Sequence, residues 1–545
     1  DDFDLGFLDA ALSGSGSISG SPAAPEEVQI ELAGRIGPES DRWVLSRLQM
    51  TEQLAFQVRR ISDAKLRWKR GAGVDLSGSL ALNGDMRLTA SVSFGPGRFA
   101  LNRLLIQDDS SRAEASFREE GSAAVFSYDG RLYKQTVDRL LKENVFLGGH
   151  IRGGFRGRVD LASPNQSRIE GSLEVADLTL PLKGGLPLHI AGASLFGEGR
   201  RLAVERLDVA VAGEPSVSIG GMLTREPGVF GIDLKLSAER IDLNRLRQAF
   251  GPAEPGQSAP KKRGRVPVAG TVAFDAEEVR YDRYRFEDIA GKAVLSPDRT
   301  EVTLQRATLC GIALPAELAF HTDSIELAVR PAVVDGRLAE AADCLFEKGG
   351  TMEGRFALHG SLSAGGRPEA MASSLQGALT FKAEKGVIME NAGFGILRRI
   401  LALVNVTEVF AGSMPDFSQS GFRFHSINAR ADIDRGVMQI RELIVDGINL
   451  TLTAQGSVNL SDQALDIVAL VAPLKTVDRI VGKIPLVSDI LDGALISIPV
   501  KVGGTLAEPK VSAIAPAEVG RGLIGITERT LKLPFKMIQP GAPEK

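Results

Sequence analysis

The sequence predicts a mainly β protein, a long antiparallel sheet with a few short amphipathic helices, several of them near the C-terminus. Three observations carry this. Apolar and polar residues alternate with period two through most of the chain, as in strands with one buried face. Turn signals recur at about the 8–12-residue spacing of a meander. The 60 glycines exceed the roughly 7% of an average protein while aromatics are only 6%, which suits frequent turns and bulges.

The strands read in order as 74–84, 86–94, 167–180, 201–213, 231–243, 266–279, 300–309, 352–364 and 375–388, each an alternating run closed by glycine or polar residues. No repeat of fixed length is present, which disfavours a propeller or a leucine-rich solenoid. The residues 447–474, GINLTLTAQGSVNLSDQALDIVALVAPL, show the pattern at its clearest. Ile448, Leu450, Leu452 and Ala454 fall on one face, and Asn449, Thr451, Thr453 and Gln455 on the other. The return run is more apolar, with Leu465, Ile467, Ala469 and Val471 on one face and Val468 and Leu470 on the other.

Helices are expected at 135–146, at 243–250 and at 391–412, where Phe394, Leu397, Leu401 and Val404 form a stripe backed by Ile400 and Val409. A further helix at 475–492 is broken at Pro485, and a basic, moderately amphipathic one follows at 517–537. The proline-rich, basic stretch 251–265 reads as a solvated linker. A length of 545 residues exceeds one compact domain. The expected organisation is an N-terminal β-repeat region (1–250), the linker, a central β region (266–374) and a C-terminal region (375–545).

Composition narrows the function. Lys plus Arg is 64 and Asp plus Glu is 68, a net charge of −4, so no basic excess points to nucleic acid. No HExxH, GxSxG or phosphate-loop motif occurs, and GSGSISG at 14–20 lacks dinucleotide-binding spacing. The five histidines, His150, His189, His321, His359 and His425, stand singly, which suggests no metal site. No catalytic residue and no cofactor is expected, and the carboxylates read as a solvated face. There is no uncharged apolar run of about 18 residues able to span a bilayer. Two cysteines, Cys310 and Cys344, are compatible with either an oxidising compartment or two buried thiols.

A long sheet with one apolar face must cover it with protein or with a ligand. The sheet either packs on itself or opens into a trough that holds acyl chains.

Residues 375–537 resemble the C-terminal region of AsmA-like proteins of Gram-negative bacteria. The resemblance rests on ILALVNVTEVFAGSMPDFSQSGFRFHSI (400–427), the strand pair through 474, KTVDRIVGKIPLVSDIL and ISIPVKVGGTLAEPKVS (496–512), in that order. LKLSAERIDLNRLRQAF (234–250) resembles the strand-and-capping-helix unit of the same superfamily, whereas 1–230 match in general style only. The resemblance implies an elongated, curved β-sheet trough and a periplasmic, non-enzymatic protein. Its partners would be phospholipids, the inner and outer membranes and other envelope proteins, with the chain itself monomeric. It would be anchored to the inner membrane through an N-terminal segment absent from this chain. Groove candidates are then Ile448, Leu450, Leu452, Leu465, Ile467 and Val471. The same setting makes Cys310 and Cys344 disulfide partners, joining TLCGIAL (308–314) to AADCL (341–345). The alternative is an assembly factor for outer-membrane biogenesis that conducts no lipid.

Overall fold

The computed structural model describes residues 2–21, 24–47, 53–96, 98–181, 187–211, 214–250, 267–345, 352–389, 421–448, 450–473, 495–531 and 535–537. It also describes the helical residues Ile396, Arg399, Ile400 and Leu403. The linker 251–265, the helix expected at 475–492 and the stripe residues Phe394, Leu397, Leu401, Val404 and Val409 lie outside these. The chain is overwhelmingly strand, with short helices at Pro38–Arg47, Lys134–Leu140, Leu243–Phe250, Leu338–Leu345, Met371–Ser374 and Arg521–Leu531. It divides into two compact units, one of residues 1–278 with 293–297, the other of 279–292 with 298–545.

In the first unit, fifteen strands from Asp2–Phe7 to Val229–Asp242 pair antiparallel, each with the next in sequence. Such local pairing follows from alternating runs joined by short turns. Glycine permits close approaches inside it. A Cβ at Gly157 would sit 2.8 Å from the ring of Phe126, its cross-strand partner. Gly171, at φ +100°, lies where a Cβ would strike the carbonyl oxygen of Gly154. The helix expected at 135–146 ends at Leu140, because Leu141 is extended and bridges to Leu54. Asn144 holds the turn that follows, donating to Asp138 Oδ1 at 2.8 Å and to the Leu147 carbonyl at 2.7 Å.

The second unit is built differently. Leu450, Leu452, Val471, Ile498 and Val500 share one buried core with Phe356, Ala383, Phe422 and Phe424 from other strands. Leu338 and Ala341 of the helix Leu338–Leu345 join the same core. Ile396, Ile400 and Leu403, at helical i, i+4, i+7 spacing, pack against it. The helix Arg521–Leu531 covers the opposite face of the strands Leu450–Asn459 and Leu465–Pro473. Leu470 is buried there with Ile514, Val519 and Leu523. Thr453, on the face that reads as polar, is fully buried and its hydroxyl lies 2.6 Å from that of Thr527.

Candidate functional site

The register of the first unit places apolar side chains of successive strands on one continuous face. Across neighbouring strands Leu76 meets Val92, Val92 meets Leu101, Leu101 meets Phe117 and Phe117 meets Phe126. Further along, Phe155, Leu173, Leu195, Leu207, Ile219 and Leu236 carry the same face through to the strand Val229–Asp242. Aromatic pairs stiffen it: the rings of Phe94 and Phe99 are 5.6 Å apart, those of Phe126 and Phe155 6.0 Å.

This face is only partly shielded. Phe155, Val175 and Val204 are buried, but Leu76 remains 48% exposed, Phe94 49% and Phe99 44%. Among the described residues, the helix Lys134–Leu140 covers it where Leu140 meets Leu82 and Met86, and Trp43 of the helix Pro38–Arg47 sits edge-on against Phe7, 4.7 Å between ring centroids. The opposite face is polar and carries cross-strand ion pairs: Lys65–Glu31 at 2.8 Å, Arg103–Glu114 at 2.9 Å and Arg156–Glu170 at 2.8 Å. Exposed pairs of this kind contribute little stability. Their placement identifies the face that meets water.

One polar group on the apolar face, Tyr128, is tied down. The Tyr128 hydroxyl donates to the Ile151 carbonyl at 2.8 Å. Burial, with the Asp129 carboxylate beside it, pushes that phenol up to about 12. The face therefore presents no ionised group there near neutral pH.

At the hairpin ends of this sheet the face deepens into a cavity of about 300 Å³, at the lower bound for small-ligand pockets. Val159, Ile169, Leu202, Leu223, Phe230 and Val268 line it, with four arginines at its edge.

The groove candidates read from sequence sit elsewhere. Leu450, Leu452, Leu465 and Val471 are buried in the filled core of the second unit, Ile467 packs against that core, and Ile448 is half-buried. They wall a protein interior. Alternation alone could not separate the two cases, because a covered strand and an uncovered one share the same period. Cys310 and Cys344 form a disulfide with Cα atoms 5.5 Å apart, linking the turn after the strand Thr300–Leu309 to the helix Leu338–Leu345. Among the described residues no group of three His, Cys, Asp or Glu side chains could hold a metal ion. No helix among them is long and apolar enough to cross a membrane.

Residues 340–511 match the YhdP protein family, overlapping the stretch that resembles AsmA-like proteins. A 103-residue segment is 35% identical to the intermembrane phospholipid transporter YhdP of Escherichia coli (strain K12). That segment is 18% of this chain and spans 8% of the transporter's length.

Proposed function

With a third of its length matched to the YhdP family, we propose that this protein is a non-enzymatic, periplasmic lipid-handling protein. It would hold phospholipid acyl chains on the apolar sheet face of its first unit and so support lipid transport between inner and outer membranes. The observation that carries this reading is the partly uncovered apolar face running across the strands of that unit. Soluble monomers rarely leave so much contiguous apolar surface in water. Each methylene moved from water onto such a face contributes about 0.8 kcal/mol. Shielding an acyl chain thus needs area and no reactive group. The transport activity of the partial relative supports the same substrate class. Anchoring to the inner membrane through a segment outside this chain belongs to the same proposal.

Native mass spectrometry of the purified chain tests it. Phospholipid should co-purify and be lost on delipidation. A chain that carries none, and takes up none from vesicles, would refute the reading. The assembly-factor alternative draws on the filled core of the second unit, which resembles an ordinary protein interior. It predicts specific cross-links to envelope proteins without bound lipid.

A further inference from the structure

We propose that the arginine-edged cavity at the hairpin ends of the first unit is a headgroup site that selects anionic over zwitterionic phospholipid. The proposal rests on the lipid-handling reading above and adds a specificity to it. Fourteen residues line the cavity, four of them arginines (Arg168, Arg200, Arg201 and Arg225), and none is a carboxylate.

The strand register sorts the charges by face. Arg225 pairs across the ladder with Phe230 and lies on the apolar side, following Leu223 and Ile232. Its Nη1 donates to the carbonyls of Asn165 and Ser167, the latter at 3.2 Å, which fixes the guanidinium against the loop carrying Leu161. Its Nε and Nη2 have no partner among the described residues. Arg200, at the tip of the hairpin joining Pro187–Gly199 to Arg201–Val211, is exposed. Its side chain has neither an ion-pair nor a hydrogen-bond partner among the described residues. Arg168 is engaged by Glu170. The nearby carboxylates Glu198 and Glu226 alternate onto the polar side of the sheet, as does Arg201. Asp160 is engaged by the Ser122 hydroxyl and the backbone N–H groups of Ala162 and Ser163.

The mouth of an apolar cavity thus offers two guanidinium groups with unused N–H donors and no competing acid on that side. A guanidinium matches phosphate oxygens through paired hydrogen bonds. A zwitterionic headgroup would bring its own cation into this field, whereas an anionic one would not. The cavity takes the part of an acyl chain nearest the glycerol, and the remaining methylenes run along the continuous apolar face. Leu161, 51% exposed, forms the apolar lip.

The test uses the full 545-residue chain, delipidated, with fluorescent phosphatidylglycerol and phosphatidylcholine of identical chains, plus inorganic phosphate as competitor. Wild type should bind phosphatidylglycerol more tightly. Arg200→Gln should reduce that preference roughly threefold to fivefold, the scale of one exposed charge pair, and leave phosphatidylcholine binding unchanged. Arg225→Gln should do the same, but it also removes the contacts to Asn165 and Ser167, so Arg200→Gln is the decisive variant. Equal binding of both lipids, or a preference unchanged in Arg200→Gln, would overturn the headgroup site while leaving the lipid-handling reading intact. No binding of either lipid would defeat both. Displacement of the probe by inorganic phosphate as effectively as by unlabelled phosphatidylglycerol would make this a free-phosphate site and overturn the lipid assignment.

Discussion

Thr453 and Thr527 show how a buried polar pair apportions its protons. The Thr527 hydroxyl donates to the Leu523 carbonyl at 2.9 Å, so in the 2.6 Å contact with Thr453 it must accept. Thr453→Val then removes a donor and leaves only an acceptor lone pair unmet, a cost of about 1 kcal/mol. Thr527→Val strands a buried hydroxyl donor at Thr453 and should cost more, about 2 kcal/mol. Urea unfolding of the two variants checks the order, and equal costs would contradict this proton assignment. Thr451 is buried on the same face, so Thr451→Glu should destabilise the second unit, although its position in the alternating run reads as tolerant of charge. Tyr128 offers a separate check by ultraviolet titration. Tyr128 should titrate near 12, and Tyr128→Phe should abolish that step. The sign follows from the raised value: the folded state holds this proton more tightly than the unfolded chain. Its contribution is full below about pH 10 and is lost as pH rises toward 12.

At the scale of elements, the disulfide closes a loop across a separation of 34 residues between the strand Thr300–Leu309 and the helix Leu338–Leu345. Chain entropy assigns such a closure about 3–4 kcal/mol. Reduction, or Cys344→Ser, should lower the denaturant midpoint of the second unit and leave that of the first unchanged. A single shifted transition for the whole chain would mean that the units unfold together. Strands were the most legible elements in the sequence, since alternation and glycine mark both the run and its ends, as at 300–309 and 375–388. Helix faces were less so. Ile400, read as backing the stripe at 391–412, lies in the core with Ile396 and Leu403 packed against it, while Phe394, Leu397, Leu401 and Val404 lie outside the described residues. Several residues in that stretch are apolar, and periodicity alone admits more than one stripe. What covers Leu470 was equally hidden. The helix Arg521–Leu531 does so from about fifty residues downstream, a tertiary contact with no local signature. The candidate site was legible in kind but not in place. An apolar sheet face was expected, and the partly uncovered one lies in the first unit, where few of the described helices lie over it.

At the scale of the whole molecule, the two units carry their apolar residues to different ends. Of the eleven largest fully buried side chains among the described residues, nine lie in the second unit; Leu82 and Thr136 alone lie in the first. A sheet with so little interior should open locally more readily when its apolar face meets water. A ligand that binds only the folded sheet should raise its stability by mass action. Hydrogen exchange on the delipidated chain should therefore show weaker protection in the strands of the first unit. Adding phospholipid vesicles should restore protection there and change the second unit little. The adjacent residues Leu76 and Ser77 sharpen this into a test of faces, because the register puts Leu76 on the apolar side and Ser77 on the polar one. Leu76 is already half-exposed, so Leu76→Glu should fold. A carboxylate in the path of an acyl chain costs roughly 1–2 kcal/mol, which is about a tenfold loss of local occupancy. Ser77→Glu should retain lipid. Leu450→Glu, which buries a charge in a filled core, should instead unfold the second unit without emptying the first. If Leu76→Glu retained its lipid while Ser77→Glu lost it, the lipid would occupy the face assigned here to solvent.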